Sequence, residues 1–259
     1  MMAPALEVEG LKKSFAKDGR SLDILDLAGF RVHEGEFVSV IGPSGCGKST
    51  FLHILGGFIK PDRGAIRVHG AEVHEPGPDR GMMFQEFALF PWRSVAGNVA
   101  WALEVQGVPR DRTEEIVERQ LAMIGLSEFR NHYPAELSGG MKQRVALARV
   151  LAFDPKVLLM DEPFGALDAQ TREAMQEELT RLWERTGKTI VFVTRDIEEA
   201  IYLADRVVVL SARPARIKEE VQIRLPRPRD ITVKKSLEYH EYRNHVWDLV
   251  RSESYRAAR

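Results

Sequence analysis

The chain has 259 residues, which at about 150 residues per domain means one large domain or two small ones, with enough length to bury a sizeable core. Its 37 Lys plus Arg and 38 Asp plus Glu leave a formal net charge of -1, which argues against a nucleic-acid binder working through a whole-surface basic excess. With 44% hydrophobic and 29% charged residues and no apolar run of bilayer-spanning length, the composition is that of a soluble globular protein. The start, MMAPALEVEG, lacks the basic-then-apolar pattern of a signal peptide, so a cytosolic protein is expected. Cys46 is the one cysteine, which excludes an intrachain disulfide, and the histidines show no HxxxH or HExxH spacing for a metal.

In chain order, residues 3–35 and 62–76 carry short alternating segments (LEVEGLKKSF, GAIRVHG) that predict antiparallel strands, with turns such as Pro61-Asp62-Arg63-Gly64. Between them, Phe37–Ile41 (FVSVI) reads as a buried strand, followed by a glycine turn and a helix from Lys48 to about Gly56. Residues 94–152 are helical in pattern, as Ser94–Glu104, Arg112–Ile124 and Gly140–Ala152. Val157–Met160, Thr189–Thr194 and Val207–Leu210 then read as strands, with helices Arg172–Arg185 and Ile197–Leu203 between them. Continuous apolar strands alternating with helices imply a parallel sheet covered on both faces. Asp196 and Glu199 have the spacing of a capping box opening the helix after Thr194.

Pro226 and Pro228 mark the boundary of a tail that ends in an amphipathic stretch, Leu237–Val250. From Arg224 onward nine basic residues face five acidic ones, so the tail is +4 and the remainder -5. A solvated helical face is the plain reading of that run; a surface turned to lipid or to a membrane protein is the other.

The strongest motif is Gly42-Pro43-Ser44-Gly45-Cys46-Gly47-Lys48-Ser49, a GxxxxGK[ST] pattern lying between a predicted strand and a predicted helix. Successive N–H groups of such a loop form an anion nest, and the following helix adds the positive end of its dipole. Lys48 can reach β- and γ-phosphates, the Ser49 hydroxyl can ligand Mg²⁺, and Thr50 completes the set of phosphate contacts. Gly42, Gly45 and Gly47 permit a close backbone approach, and Cys46 reads as a small filler.

A second motif, Val157-Leu158-Leu159-Met160-Asp161-Glu162-Pro163, sets two carboxylates at the end of a buried strand, where open α/β sheets bind ligands. Asp161 suits a Mg²⁺ site and Glu162 is placed to polarise an attacking water; the alternative is that both merely end the strand. The third motif, Leu137-Ser138-Gly139-Gly140-Met141-Lys142-Gln143-Arg144, opens a helix. Ser138 is either simply an N-cap or, with the two glycine N–H groups, a second anion-binding helix terminus.

The order of P-loop, MMFQEF with Gln85, LSGGMKQR, LLMDEP, GALD and VTRDIEEA resembles the ATP-binding subunit of an ABC transporter over about residues 6 to 225. Phe90-Pro91-Trp92 and the tail LPRPRD resemble the branch importing nitrate, sulfonate and taurine. The resemblance implies an α/β fold: a P-loop NTPase core with a mostly parallel sheet, an antiparallel β subdomain and a helical subdomain at about 94–152. The ATP-binding domain would occupy residues 1–225 and the basic helical tail 226–259. It implies ATP and Mg²⁺ as ligands, with transport-coupled hydrolysis. The partners would be a second copy, transmembrane permease subunits and, indirectly, a periplasmic or surface solute-binding protein, with no nucleic acid. The chain would lie peripherally at the cytoplasmic face of the membrane.

By position, the resemblance makes Phe15 the aromatic that stacks on adenine (ordinary core being the other reading), and Gln85 a contact to Mg²⁺ or the attacking water. Ser138, Gly139 and Gly140, with Gln143 of the same motif, would close on the nucleotide of the other subunit, and Asp168 would cross the interface. Glu162 would be the general base. One position departs from the family: Arg195 stands where the pattern has histidine. Arginine still donates to phosphate, but it lacks the donor–acceptor versatility of a neutral imidazole and can pair with Glu162. The expectation is ATP binding with slowed hydrolysis, which leaves a nucleotide-gated subunit with weak turnover as the alternative function. A soluble ABC ATPase of DNA repair or translation fits poorly, since there is one motif set and no long heptad run.

Overall fold

The computed structural model describes residues 4–17 and 20–257. Ala3, Asp18 and Gly19 of the first alternating region, and Arg259 and the side chain of Arg256 in the tail, lie outside what it describes. In chain order the elements are β1 (Leu6–Lys17), β2 (Arg20–Val32), β3 (Phe37–Ile41), α1 (Lys48–Leu55), β4 (Arg63–Val68), β5 (Ala71–Glu72) and β6 (Arg80–Met83). The helices α2 (Val95–Val105), α3 (Arg110–Met123) and α4 (Gly139–Ala152) follow, then β7 (Val157–Asp161), α5 (Ala169–Thr186), β8 (Thr189–Val193) and α6 (Ile197–Leu203). The chain closes with β9 (Arg206–Leu210), β10 (Ile217–Gln222), a 3-10 turn at Ile231–Lys235 and α7 (Leu237–Ala257).

Among the described residues, two sheets form. One has the order β10-β9-β3-β8-β7-β6, parallel from β9 to β6 with β10 antiparallel at its edge; the other is the antiparallel β2-β1-β4-β5. The apolar strands divide their residues between two cores, because successive side chains point to opposite faces. Phe37, Leu158, Ile190, Phe192, Val207 and Val209 enter the core beneath α4, α5 and α6. Val38, Val40, Leu159, Val191, Val193 and Val208 enter the opposite one, shared with α1 and the antiparallel sheet. At about 1.5–3 kcal/mol for each fully buried aliphatic side chain, this double burial outweighs any local preference and fixes strand register. A third cluster (Val95, Val99, Leu103, Val117, Leu121, Val145) packs α2, α3 and α4 on one another.

Helix boundaries follow their caps. α5 starts at Ala169, earlier than the apolar pattern indicates, because Asp168 accepts from the Thr171 N–H (3.0 Å). The expected capping box at α6 is only half formed. Asp196 caps the helix by accepting from Glu198 and Glu199 N–H, but the Glu199 side chain turns inward to Thr194 and Gln176 instead of reaching back.

The tail departs from a solvated face. α7 runs on to Ala257, and Tyr239, Val246 and Glu253 on it are buried. Before it, Arg227 pairs with Asp205 (2.9 Å) and lies 4.0 Å over the Trp183 ring. Arg229, 5% exposed, donates to carbonyls of Ile201 (3.1 Å), Tyr202 (3.0 Å) and Ala204 (2.8 Å) at the end of α6. Those carbonyls are ones a helix leaves without partners at its C-terminus, so the guanidinium acts as a cap delivered from the tail.

Candidate active site at the ends of the parallel strands

Parallel strands all present their carboxyl ends to one side, so the loops after β3, β7, β8 and β9 meet there. They enclose a cavity of about 350 Å³, lined on the P-loop side by Ser44, Gly45, Gly47, Lys48, Ser49 and Thr50. Glu162 and Arg195 form another wall, and Phe15 and Arg213 the rim.

The P-loop is tightly built. Gly47 has φ +119°, and a Cβ there would sit 2.7 Å from the Ile24 side chain, so only glycine serves. Lys48, 6% exposed, donates to the carbonyls of Gly42 (2.9 Å) and Pro43 (3.1 Å) across the loop. Gly42 and Pro43 are buried in the loop's base. Cys46 is buried in the core behind it, its thiol pushed up by desolvation, in keeping with a filler.

Ser49 donates to the Asp161 carboxylate (3.0 Å), which ties the start of α1 to the end of β7. Burial pushes Asp161 above the usual carboxylate range against the opposing effect of that bond. Two hard oxygen groups side by side suit Mg²⁺, which is bound by few carboxylates together with water and substrate phosphates. His53, one turn after Ser49 on α1, lies 3.9 Å from Asp161; the i, i+4 spacing was the signal for it.

Glu162 follows β7 with φ +42°, a left-handed conformation uncommon for a non-glycine residue and held by its N–H bond to Val193 O (2.9 Å). This turns its carboxylate to the cavity, where Arg195 Nε lies 3.5 Å from Glu162 Oε2. The arginine is 65% exposed and the glutamate 18%.

Several expected residues stand differently. Phe15 is 41% exposed on the rim, with Lys13 Nζ 5.1 Å from its ring centroid, so it is not core. Gln85 is exposed after β6 and lies outside the cavity lining, and among the described residues it makes no hydrogen bond to Ser49 or Asp161. Ser138 caps α4 through Met141 N–H (3.3 Å); it, Gly139 and Gly140 are likewise outside that lining. Gln143 is 1% exposed, buried within α4, and its Nε2 has no hydrogen-bond partner among the described residues. Asp168 is exposed, and its carboxylate is held below the usual range by the Thr171 N–H.

Arg213 was missed by motif reading. Its Nε donates to Gly45 O (2.5 Å), bracing the P-loop from the loop after β9. The available signal was its place past a predicted parallel strand that pairs with β3.

Residues 25–165 match the ABC transporter family. An uncharacterized ABC transporter ATP-binding protein of Methanocaldococcus jannaschii is 50% identical over 252 residues, 97% of this chain and 93% of that protein. The chain belongs to the ABC transporter family. As such it is an ATP-binding, transport-coupled ATPase. The nitrate import ATP-binding protein of Synechocystis sp. is 44% identical to it over 252 residues, 95% of each chain. Among solved structures, an ATP-binding cassette in a dimeric post-hydrolysis state with ADP and Pi bound superposes with TM-score 0.75 at 32% identity, covering 85% of this chain and 100% of that one. The fold of this family member is thus the α/β cassette with mixed sheets that its sequence implies.

Proposed function

We propose that this chain is the motor subunit of a membrane importer, acting as two copies that hold ATP between the P-loop of one and Ser138, Gly139 and Gly140 of the other. The observation that carries this reading is the division of the anion-binding elements. Lys48, Ser49 and Glu162 share one cavity, whereas the N-terminus of α4 is exposed elsewhere and needs a second copy to complete a site. The dimeric cassette bound to ADP and Pi supports it.

In that pair, Lys48 exchanges its bonds to Gly42 and Pro43 for β- and γ-phosphate oxygens, and the α1 dipole adds to the field. Ser49 and Asp161 are the residues that fit Mg²⁺, which when bound neutralises charge on the phosphates. Glu162 orients water in line with the γ-phosphate and takes its proton, a contribution worth about 10²–10⁴-fold in rate. Arg195 donates to the γ-phosphate but also competes for Glu162, so turnover is slower than a histidine would give. This same contact favours, as a second reading, a nucleotide-gated subunit with weak hydrolysis. Phe15 stacks on the base from the rim, Asp168 meets the second copy, and Gln85, exposed after β6, reports to the permease.

The solute falls in the nitrate, sulfonate and taurine class, supported by likeness to the nitrate import protein. No helix among the described residues is long and apolar enough to cross a membrane. The chain sits against a separate permease at the cytoplasmic face, with a solute-binding protein acting beyond it. Glu162→Gln tests the site: it should bind ATP, lose turnover and elute as an ATP-dependent dimer. Turnover at the parent rate would reject Glu162 as the base.

A further inference from the structure

Arg195 rides on a short loop between β8 and α6, and its guanidinium is mostly exposed, so its position depends on what fixes that loop. Thr194, 2% exposed, is the fulcrum: its N–H bonds to Val40 O (3.2 Å), and its Oγ1 accepts from Asp196 N–H (3.0 Å), closing the turn around Arg195. The same hydroxyl is bonded to Glu199 Oε2. Glu199 Oε1 in turn accepts from Gln176 Nε2 of α5 (3.1 Å), and Gln176 Oε1 accepts from Lys234 Nζ (3.2 Å). Lysine only donates, so Lys234 decides which way the Gln176 amide points and leaves its NH₂ aimed at Glu199.

Glu199 and Gln176 are 4% and 3% exposed. A buried carboxyl carries a desolvation cost that an apolar residue of similar volume would avoid. What the polar pair supplies in return is one rotamer for Thr194, and through it one path for the Arg195 backbone.

We propose that Glu199 and Gln176 are positioning residues for hydrolysis, holding through Thr194 the loop that places Arg195 to donate to the γ-phosphate beside Glu162. The inference rests on the reading of Glu162 and Arg195 given above. Lys234 belongs to the 3-10 turn before α7, so the C-terminal segment is joined to the catalytic loop through hydrogen bonds.

The test is a double-mutant cycle on steady-state ATP hydrolysis by the full chain with MgATP. Glu199→Leu should lower kcat about tenfold while KM for ATP stays within about twofold, since misplacement of a catalytic group acts on turnover. In an Arg195→Ala background the same change should cost less than about twofold, because the residue it acts through is gone. Glu199→Gln keeps both contacts, its oxygen accepting from Gln176 and its NH₂ donating to Thr194 Oγ1 in a reversed bond, and should return kcat to within about threefold of the parent. Gln176→Leu enters the same cycle with the same expected pattern and replaces Glu199→Leu if circular dichroism shows that the latter does not fold. Equal losses in both backgrounds, an unchanged kcat in a folded variant, or no recovery with Glu199→Gln would overturn the proposal. Glu162→Gln separates the two readings: if it is inactive while Glu199→Leu turns over normally, only the positioning inference fails, and if it is fully active the site reading itself fails.

Discussion

Arg195 Nε lies 3.5 Å from Glu162 Oε2, the cation on the loop after β8 facing the carboxylate on the loop after β7. These strands are neighbours in register, with Asp161 opposite Val193, so the residues that follow each strand are brought level. The pairing therefore follows from sheet order, and it sets a fixed positive charge beside the carboxylate proposed as the base. Arginine stays charged at any working pH, unlike an imidazole.

Arg195→His should raise kcat about tenfold at saturating MgATP with KM for ATP nearly constant, because it removes the permanent charge from Glu162 and keeps a donor for phosphate. Arg195→Ala should instead lower kcat, since it removes both. Steady-state phosphate release measures each; a histidine variant no faster than the parent would mean that the ion pair does not limit the base.

Lys48→Ala should weaken ATP binding by about 10–100-fold, corresponding to the loss of charge-assisted hydrogen bonds worth about 1.5–3 kcal/mol. The lysine is already buried in the loop with two carbonyl partners, so its alkyl stem is positioned before ligand arrives. Equilibrium binding of a fluorescent ATP analogue reads the change, and parent-like affinity would remove Lys48 from the site.

Burial raises the Glu199 carboxyl from 4.5 to about 7 despite its bonds to Thr194 and Gln176. The folded state then holds a proton that the unfolded chain releases near pH 4.5, so this group favours folding most below that value. Its contribution should fall as pH rises from about 4.5 to 7 and stay lost above, by up to about 3 kcal/mol. Urea unfolding across that range should show the slope in the parent and a flatter profile in Glu199→Gln.

Arg229→Met should destabilise the protein by about 2–4 kcal/mol, because it leaves the carbonyls at the end of α6 buried without donors. The guanidinium is desolvated enough to be lowered to about 10, which marks how little water reaches it. Chemical denaturation monitored by circular dichroism checks this; a change under about 0.5 kcal/mol, the size of an ordinary surface substitution, would return the segment to a solvated role.

Much of the fold was legible locally. Phe37–Ile41 and Thr189–Val193 announce themselves as apolar runs because burial on both faces of a parallel sheet demands it. The P-loop was legible for the same kind of reason: an anion nest needs glycines and a lysine within one short window, so Gly42 to Ser49 carries its chemistry in contiguous residues. The burial of Gln143 was not legible in this way, because a motif string records adjacency while on α4 the helical period turns that side chain inward.

The chain's own sequence determined the alternation of elements, the phosphate loop, the carboxylate pair after β7 and the odd arginine at 195. Only the tertiary structure decided that Arg195 meets Glu162, that Arg213 braces Gly45, and that Arg227 and Arg229 draw the basic segment onto the core. The physical reason is reach. Local pattern is set by period and backbone preference within a turn or a strand, whereas these contacts join residues far apart in the chain through strand order and shared burial. A charge count saw a +4 tail; the fold turned two of its arginines into a stack on Trp183 and a cap on α6.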